Sequence, residues 1–131
     1  MTRPQQLIAT LGLQRHPERG YFVETYRAPL QLDGLAGHGG PLEVLLLAAD
    51  GTSRVARLGG NLDAGERPQL VIPAETWFAA EVPAGVPYCL WGCTVAPGFD
   101  FADFELAQGP ELAARYPRQA ERIGRMLRPA R

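Results

Sequence analysis

Short strand-like runs separated by turn residues occupy most of the chain, and they exclude most fold classes. Apolar and β-branched residues cluster or alternate in runs of about four to eight, the usual length of a strand. The 131 residues include 15 glycines and 12 prolines, as a turn-rich β protein requires. Helical patterns occur only at the two ends, so a nucleotide-binding α/β fold is excluded. The sequence predicts one all-β domain spanning residues 1–131, an antiparallel sandwich or barrel with flanking short helices.

Individual strands can be assigned from these runs. Residues 42–48 are predicted to form a buried strand, and Asp50-Gly51 is a hairpin signal before a strand at 53–58. The Gly- and Pro-rich span 28–41 lacks periodicity and is predicted to be a loop. Five further strands are expected, at residues 21–27, 70–72, 76–81, 88–95 and 99–105.

The two ends have helical patterns. Residues 4–11 place Pro4 at the first helical position and Gly12 after the last apolar residue. Near the C-terminus, residues 110–116 are predicted to form one short helix, and a second begins at Pro117. The second has an apolar stripe of Ala120, Ile123, Met126 and Leu127.

Charge narrows the choice of partners. The net charge is −1, with 46% hydrophobic residues, so neither disorder nor a nucleic-acid footprint is indicated. Residues 111–131 carry six Arg against two Glu, which we interpret as a solvated helix face. All 13 basic residues are arginine, which excludes lysine Schiff-base chemistry and a P-loop lysine.

The N-terminus lacks a long apolar run, so no signal peptide or membrane span is expected, and a cytoplasmic location follows by default. The two cysteines, Cys89 and Cys93, are four residues apart in a predicted strand. That separation is about 13 Å, whereas a disulfide needs Cα atoms within about 7 Å. We therefore predict two reduced, buried thiols.

Glu24 is the carboxylate of greatest interest, because acids are uncommon in the middle of a strand. If its face points into a pocket, burial would raise its pKa and suit it to proton transfer. The alternative is an outward position paired with Arg27, and the sequence leaves both open. Tyr26 lies on the same face and is either a hydrogen-bond partner or a packed aromatic.

The histidines of the chain give little indication of a metal-binding site. The two histidines, His16 and His38, are 22 residues apart and match no zinc spacing. We interpret His16 as a turn residue and His38 as a loop residue, and we predict no metal. A metal enzyme using both with Glu24 is a third hypothesis.

Two tryptophans and a cysteine are further candidates for ligand contact. Trp77 and Trp91 could stack on a planar or sugar ligand, although single aromatics in strands are more often core residues. Cys93 follows Gly92 in an apparently buried strand, with neither a histidine nor a helix N-terminus nearby to stabilise a thiolate. A core thiol is therefore favoured over a nucleophile.

The segment Trp91–Phe104 is the most distinctive in the chain. It begins as a predicted buried strand and turns at Pro97-Gly98, and its aromatics then alternate with Asp100 and Asp103. Three residues apart on a strand, these two carboxylates would face opposite ways. A glycosidase-type carboxylate pair is therefore disfavoured.

Several blocks together resemble one family, the cupin-5 group of the cupin superfamily. The resemblance implies a double-stranded β-helix (jelly roll), usually dimeric, similar to sugar-nucleotide epimerases and seed-storage proteins, with poorly defined activity. The blocks lie in order along most of the chain: residues 7–13, His16–Arg27 (HPERGYFVETYR), Pro41–Leu47 (PLEVLLL), Leu58–Gln69 (LGGNLDAGERPQ), Pro73–Trp77 (PAETW) and Gly92–Phe104 (GCTVAPGFDFADF).

One departure from the family pattern affects function. Family members carry further strands between the equivalents of Arg27 and Pro41, with Phe-His-Arg and Asp-Glu-x-Trp-His-Phe patterns that supply the usual metal and pocket groups. Here that span is only residues 28–40 and lacks both patterns. Leu35 falls near the family's second histidine, and His38 does not. The sequence thus predicts a shortened jelly roll, open on one side, with exposed sheet edges unless a partner subunit covers them.

These observations lead to two functional hypotheses. In the first, the barrel binds a small organic molecule and turns it over by metal-independent, cofactor-free acid–base chemistry, as an isomerase, cyclase or lyase. Glu24 would transfer the proton, Tyr26 and Gln69 would position the ligand, and Trp77 would form a wall, with Trp91 and Cys93 as further contacts. In the second, a degenerate cupin serves as a non-catalytic binding or dimerisation module. Both expect a homodimer.

Overall fold

The computed structural model describes residues 2–15, 21–22, 34–107 and 109–127, with only the backbone at 21–22, 34–38 and 109. Three α-helices flank a set of short strands. The helices are α1 (Arg3–Leu11), α2 (Gly109–Arg115) and α3 (Ala120–Met126). The strands are β1 (Gln14–Arg15), β2 (Tyr21–Phe22), β3 (Gly34–Gly39), β4 (Leu42–Leu47), β5 (Ser53–Leu58), β6 (Gln69–Leu70), β7 (Trp77–Glu81) and β8 (Cys89–Gly92).

The described strands form three small sheets. The strand orders are β1-β2, β6-β3-β8 and β5-β4-β7, and every strand pair is antiparallel. The predicted antiparallel β architecture with helices at its ends is therefore confirmed. That these sheets together form a shortened jelly roll stays a prediction.

Strand β4 organises the core because both of its faces are buried. Leu42, Val44 and Leu46 pack with Leu58 of β5 against residues of the β6-β3-β8 sheet. We call this side of the β5-β4-β7 sheet the inner face. Leu45 and Leu47 point the other way, toward the C-terminal helices, and we call that side the outer face. Burial on both faces explains why every residue of β4 except Glu43 is apolar, in place of a simple alternation.

The β4–β5 hairpin forms where the sequence predicts it. Leu42 pairs with Leu58 and Leu47 with Ser53. In the turn, the Asp50 carboxylate accepts hydrogen bonds from the Thr52 backbone N–H at 2.9 Å and from its hydroxyl at 2.6 Å. Gly51 has φ +89°, a conformation that glycine adopts without strain.

The C-terminal helices cover the outer face. Tyr116, at the end of α2, is 2% exposed, and its hydroxyl donates to the Ala48 carbonyl at 2.6 Å. Ile123 of α3 is 3% exposed and packs in the same cluster. The predicted apolar stripe is thus the docking face of this segment.

Ion pairs close the rim of that helix–sheet contact. Arg122 donates to Glu43 of β4 at 2.9 Å and to Glu81 of β7 at 3.0 Å. Arg125 reaches Glu81 at 2.7 Å, and Arg57 of β5 reaches Glu43 at 3.4 Å. The arginine-rich tail is therefore partly a set of specific contacts with the sheet rather than only a solvated face.

The N-terminal helix is confirmed over Arg3–Leu11. Gln5 Oε1 accepts a hydrogen bond from the Thr2 backbone N–H at 2.8 Å, which satisfies one donor at the helix start. Gly12 ends the helix with φ +63°, and its N–H donates to the Ala9 carbonyl. The strand predicted at residues 21–27 begins with β2, and the rest of it lies outside the described residues.

The predicted loop at residues 28–41 is wrong for its second half, where β3 lies. This strand pairs with β6 on one side and β8 on the other, so tertiary pairing overrides its Gly-rich composition. Glycines suit the position because the 86–88 segment crosses closely. A Cβ on Gly39 would lie 2.6 Å from the Tyr88 carbonyl oxygen, and one on Gly40 would collide with Val86.

The strand predicted at residues 99–105 is also wrong. Asp100 accepts a hydrogen bond from the Ala102 N–H at 2.9 Å and begins a 3₁₀ turn at Phe101–Asp103. This local side-chain bond competes successfully with the alternating pattern. The rings of Phe99, Phe101 and Phe104 form an edge-to-face cluster with centroids 4.9–6.1 Å apart, and Phe101 is 67% exposed.

The remaining predicted strands are present but shorter. Residues 70–72 are represented by β6 (Gln69–Leu70), 76–81 by β7 and 88–95 by β8. The expectation that both thiols are buried is wrong, because Cys89 is only half-buried and Cys93 is exposed beyond the end of β8. Both are free cysteines, as predicted.

Candidate functional site

On the inner face, the side chains of β4 are buried, whereas those of β7 are partly exposed to solvent. Leu42, Val44, Leu46 and Leu58 retain only 3–4% exposure. The next strand on this face is different: Phe78, which pairs with Leu46, is 51% exposed. Directly paired residues share a face, so Phe78 belongs to the inner face and leaves an apolar ring uncovered there.

A cation lies in the same row. Arg54 of β5 also pairs with Leu46, on the side opposite Phe78. It is exposed and makes no ion pair with the described residues. The row Arg54–Leu46–Phe78, which we call the open row, therefore combines a guanidinium, a buried leucine and an exposed aromatic on one surface.

A buried carboxylate lies beside the inner face. Glu66 is 7% exposed, and its Oε2 accepts a hydrogen bond from the Asn61 backbone N–H at 2.8 Å. A Cβ on Gly59 would collide with this carboxylate, so glycine at this position lets the two segments approach closely. Glu66 thus closes the 61–66 loop on itself, with its carboxylate packed over Gly59.

The two thiols have raised pKa values. Partial burial raises the pKa of Cys89, and the negative charge of Glu66 raises it further. Cys93 is exposed as a residue, yet desolvation of its sulfur raises the pKa of that thiol as well. Both groups are therefore thiols rather than thiolates at neutral pH, which argues against a nucleophilic role.

Comparison with known proteins identifies the family. The profile of Cupin_5, described as cupin superfamily (DUF985), matches residues 5–38 and 35–107. The chain belongs to this family. The match comes in two segments that overlap at residues 35–38, within β3.

Solved structures agree with a cupin-like β fold. A crystal structure of a Shewanella oneidensis protein is 26% identical, covers 99% of this chain and 100% of its own, and has a TM-score of 0.83. A hypothetical protein from Leishmania major is 23% identical, with 93% and 97% coverage and a TM-score of 0.84. No curated protein matches the chain.

The two predicted catalytic residues of this cupin, Glu24 and Tyr26, lie outside the described residues. Gln69 is described and exposed. Its neighbour Leu70 packs on the inner cluster, so Gln69 lies on the opposite face of its strand. Its role as a ligand-positioning residue stays a prediction.

Trp77 also lies away from the inner face. It pairs with Leu47 and packs in the outer cluster with Tyr116. It borders a shallow cavity of about 210 Å³ between the sheet and α2. The other lining residues are Glu105, Ala107, Glu111, Leu112 and Arg115.

Trp91 is the predicted ligand contact nearest the inner face. It is two residues from Cys89, which packs on the inner cluster, and so shares its face of β8. It is 41% exposed rather than buried. Cys93, by contrast, follows the end of the strand, and its Sγ lies 4.0 Å from the Thr94 carbonyl oxygen.

The described residues supply no metal centre of the cupin type. No group of three His, Cys, Asp or Glu side chains among them could hold an ion. His16 and Glu24 lie outside the described residues, and His38 is described only as backbone in β3, not in a loop. Within the same residues, no helix is long and apolar enough to cross a membrane.

Sequence reasoning missed Glu66, Arg54 and Phe78. Glu66 follows Gly65 in a family block but has no local pattern that reveals burial. Phe78 and Arg54 became visible only through strand register, because pairing with Leu46 assigns their faces. One sequence signal could have found Phe78. Neighbouring residues on a strand face opposite sides of the sheet, so only one of Trp77 and Phe78 could point inward.

Proposed function

We propose that this cupin binds a small organic molecule at the open row of its inner face. The observation that supports this is the pairing of Phe78 and Arg54 with the same residue, Leu46. Ligand sites are mostly apolar with a few polar groups that fix orientation. Strands β5 and β7 flank β4, which sets the two side chains about 10 Å apart. A planar molecule with a carboxylate at one end fits that span.

Acid–base turnover without a metal or cofactor is the chemistry we assign to this site. Glu66 is tied to the Asn61 N–H, and we assign proton transfer to Glu24, which the sequence predicts to lie mid-strand. Tyr26 would position the substrate. Isomerisation, cyclisation and elimination all begin with such a proton transfer. Trp91 shares the inner face and is the aromatic best located to extend the site, ahead of Trp77, Gln69 and Cys93.

The binding proposal is tested with naphthoate, an aromatic carboxylate of suitable length, followed by NMR titration. Phe78→Ala should weaken binding about tenfold, because an aromatic contact surface is lost. Arg54→Gln should weaken it about threefold, the usual scale for an exposed charge pair. Arg118→Gln, at an exposed arginine elsewhere, should change nothing. Equal effects of all three substitutions would contradict the site.

The catalytic proposal is tested by proton exchange rather than by a known substrate. The protein is incubated in deuterium oxide with a panel of small carbonyl acids, and deuterium incorporation is followed by mass spectrometry. Glu24→Gln should abolish incorporation into any responsive compound while leaving the folded spectrum intact. Glu75→Gln, at an exposed loop carboxylate, is the control. Unchanged exchange in the Glu24 variant would remove that residue from the mechanism.

A non-catalytic binding or dimerisation module is the second candidate, and the dry part of the inner face favours it. Leu42, Val44, Leu46 and Leu58 fill the described interior with apolar side chains, leaving little room for chemistry there. This candidate predicts no exchange with any compound, whether or not naphthoate binds. Exchange abolished by Glu24→Gln would exclude it.

A further inference from the structure

The cavity between the sheet and α2 lies on the outer face, on the side of the sheet opposite the open row. Its volume is about 210 Å³, below the roughly 300–1,000 Å³ of pockets that hold drug-sized ligands. Only a small molecule fits such a space. Its walls combine two carboxylates, one guanidinium and an apolar surface, supplied by Glu105, Glu111, Arg115, Trp77, Leu112 and Ala107.

The carboxylates of this cavity are not neutralised by neighbouring side chains. Glu111 and Arg115 are four residues apart on α2, a spacing that favours an ion pair across one helical turn. That pair does not form. Within the described part of the chain, the side chains of Glu105 and Glu111 make neither an ion pair nor a hydrogen bond. Two negative groups therefore face the cavity with their acceptor oxygens available.

The guanidinium of Arg115 is held in place by other contacts. Its Nη2 donates to the Ala49 carbonyl at 2.8 Å. Its Cζ lies 5.5 Å from the centre of the Tyr116 ring, within the range of a cation–π contact. The hydrogen bond to Ala49 uses one of the five N–H donors of the group. Arg115 is thus oriented and retains donors for an anion.

An apolar wall adjoins these charged groups. Trp77 and Leu112 are both half-buried, and both pack in the outer cluster around Tyr116. The surface that they present to the cavity suits a short aliphatic or aromatic side chain. A ligand that uses every part of the lining therefore carries an ammonium, a carboxylate and an apolar group. The zwitterionic form of an apolar α-amino acid has all three.

We propose that this cavity binds a free α-amino acid with a small apolar side chain. The ammonium group lies against Glu105 and Glu111, the carboxylate against Arg115, and the side chain against Trp77. Two carboxylates against one guanidinium give the cavity a formal charge of about −1. The ammonium group therefore contributes more to binding than the carboxylate does. The site is separate from the open row and does not depend on the chemistry proposed there.

A series of three ligands tests which groups are recognised. Free L-leucine is compared with isoamylamine, which lacks the carboxylate, and with isocaproate, which lacks the ammonium. The readout is the fluorescence of Trp77, which is the sole tryptophan once Trp91→Phe is introduced. At low salt, leucine should bind with a Kd on the order of millimolar. Isoamylamine should bind about threefold more weakly and isocaproate at least about tenfold more weakly.

Substitutions at the charged groups test the same assignment. Glu105→Gln with Glu111→Gln should weaken leucine binding about tenfold, because two exposed charge contacts are lost. The matched control is Glu121→Gln, since Glu111 and Glu121 each lie in the first turn of a helix but only Glu111 lines the cavity. Arg115→Gln should weaken leucine binding about threefold and leave isoamylamine binding no weaker than before. A merely structural role of Arg115 would reduce the binding of both.

Three outcomes would overturn the proposal. The first is equal binding of leucine, isoamylamine and isocaproate, which would mean that the charges are not recognised. The second is unchanged leucine binding in the double glutamine variant. The third is a leucine response that persists in Trp77→Phe, where Trp91 is the reporter, and is absent in Trp91→Phe, which would locate binding on the inner face. Circular dichroism checks that each variant folds, and the ligand series itself requires no change to the cavity.

Discussion

The two faces of the β5-β4-β7 sheet differ in how completely they are covered from solvent. The outer face is closed by α2 and α3, with Tyr116 and Ile123 only 2–3% exposed and arginines pairing with both Glu43 and Glu81. The inner face is equally dry along β4, but at β7 it leaves Phe78 half exposed. One face is thus covered by helices and ion pairs, whereas the other leaves an aromatic ring partly exposed.

The largest expected effect tests whether the outer face is the main source of stability. Tyr116→Ala should reduce the free energy of unfolding by about 3–5 kcal/mol, as is usual for truncating a buried aromatic. Phe78→Ala should reduce it by less than about 1 kcal/mol, because half of the ring is already in water. Urea unfolding measures both. Equal losses would mean that Phe78 is covered and that the faces do not differ.

The next effect concerns the glycine that lets Glu66 pack beside the inner face. Gly59→Ala should lower stability by about 1–3 kcal/mol, because the new methyl group collides with the Glu66 carboxylate. Gly60→Ala is the matched control, since nothing lies within 4 Å of its added Cβ. If both variants unfold at the same urea concentration, the close approach of Glu66 to Gly59 does not limit substitution there.

The ion pairs on the outer face should contribute less. Arg122→Ala removes contacts with two carboxylates, Glu43 and Glu81, and should cost about 1 kcal/mol, near the upper range for partly exposed pairs. Arg118→Ala, with no ion pair among the described residues, should cost almost nothing. Salt should narrow the difference between the variants, because it screens partly exposed charges.

The same ion pairs should give the outer face a pH dependence. The hydrogen bond from Arg125 lowers the pKa of Glu81 below its ordinary 4.5. A depressed folded-state pKa stabilises the protein above the unfolded value, and that stability is lost as pH falls through the folded pKa. Glu81→Gln should therefore flatten the stability profile below about pH 4.5. A profile identical to the parent's would show that this pair does not contribute.

The smallest effect is kinetic and concerns the thiols at the end of β8. Because burial raises the pKa of both Cys89 and Cys93, alkylation in the native state should be slower than for a free cysteine. It should accelerate in urea, when the sulfurs become solvated. Cys93 should react before Cys89, since it is the more exposed residue. Rapid native alkylation of Cys89 would show that the inner cluster opens easily.

Patterns of local sequence predicted the elements whose own residues decide their structure. Asp50-Gly51 marked the β4–β5 hairpin because Asp50 bonds Thr52 locally, and Pro4 and Gly12 delimited α1. The failures occurred where distant contacts or competing local bonds decide. Strand β3 exists because β6 and β8 flank it, and residues 99–105 follow the Asp100 turn rather than their alternation.

For the candidate site, the sequence likewise identified residue types but not their positions on the sheet. Sequence singled out Trp77, Trp91, Gln69 and Cys93 as aromatic, polar or thiol groups in strands, but the side of the sheet on which each lies depends on register. A shift of one residue moves a side chain to the other face. Glu24 and Tyr26 stay predictions.

The sequence alone determined the β class, the helical ends, the buried strand β4 and membership of the cupin family. These follow from local periodicity, turn chemistry and ordered family blocks, which need no long-range information. Only the tertiary structure decided that Trp77 belongs to the outer face, that Phe78 and Arg54 meet at Leu46, and that Glu66 is buried over Gly59. Such relations join strands far apart in the chain, and they arise from pairing and packing that no single segment encodes.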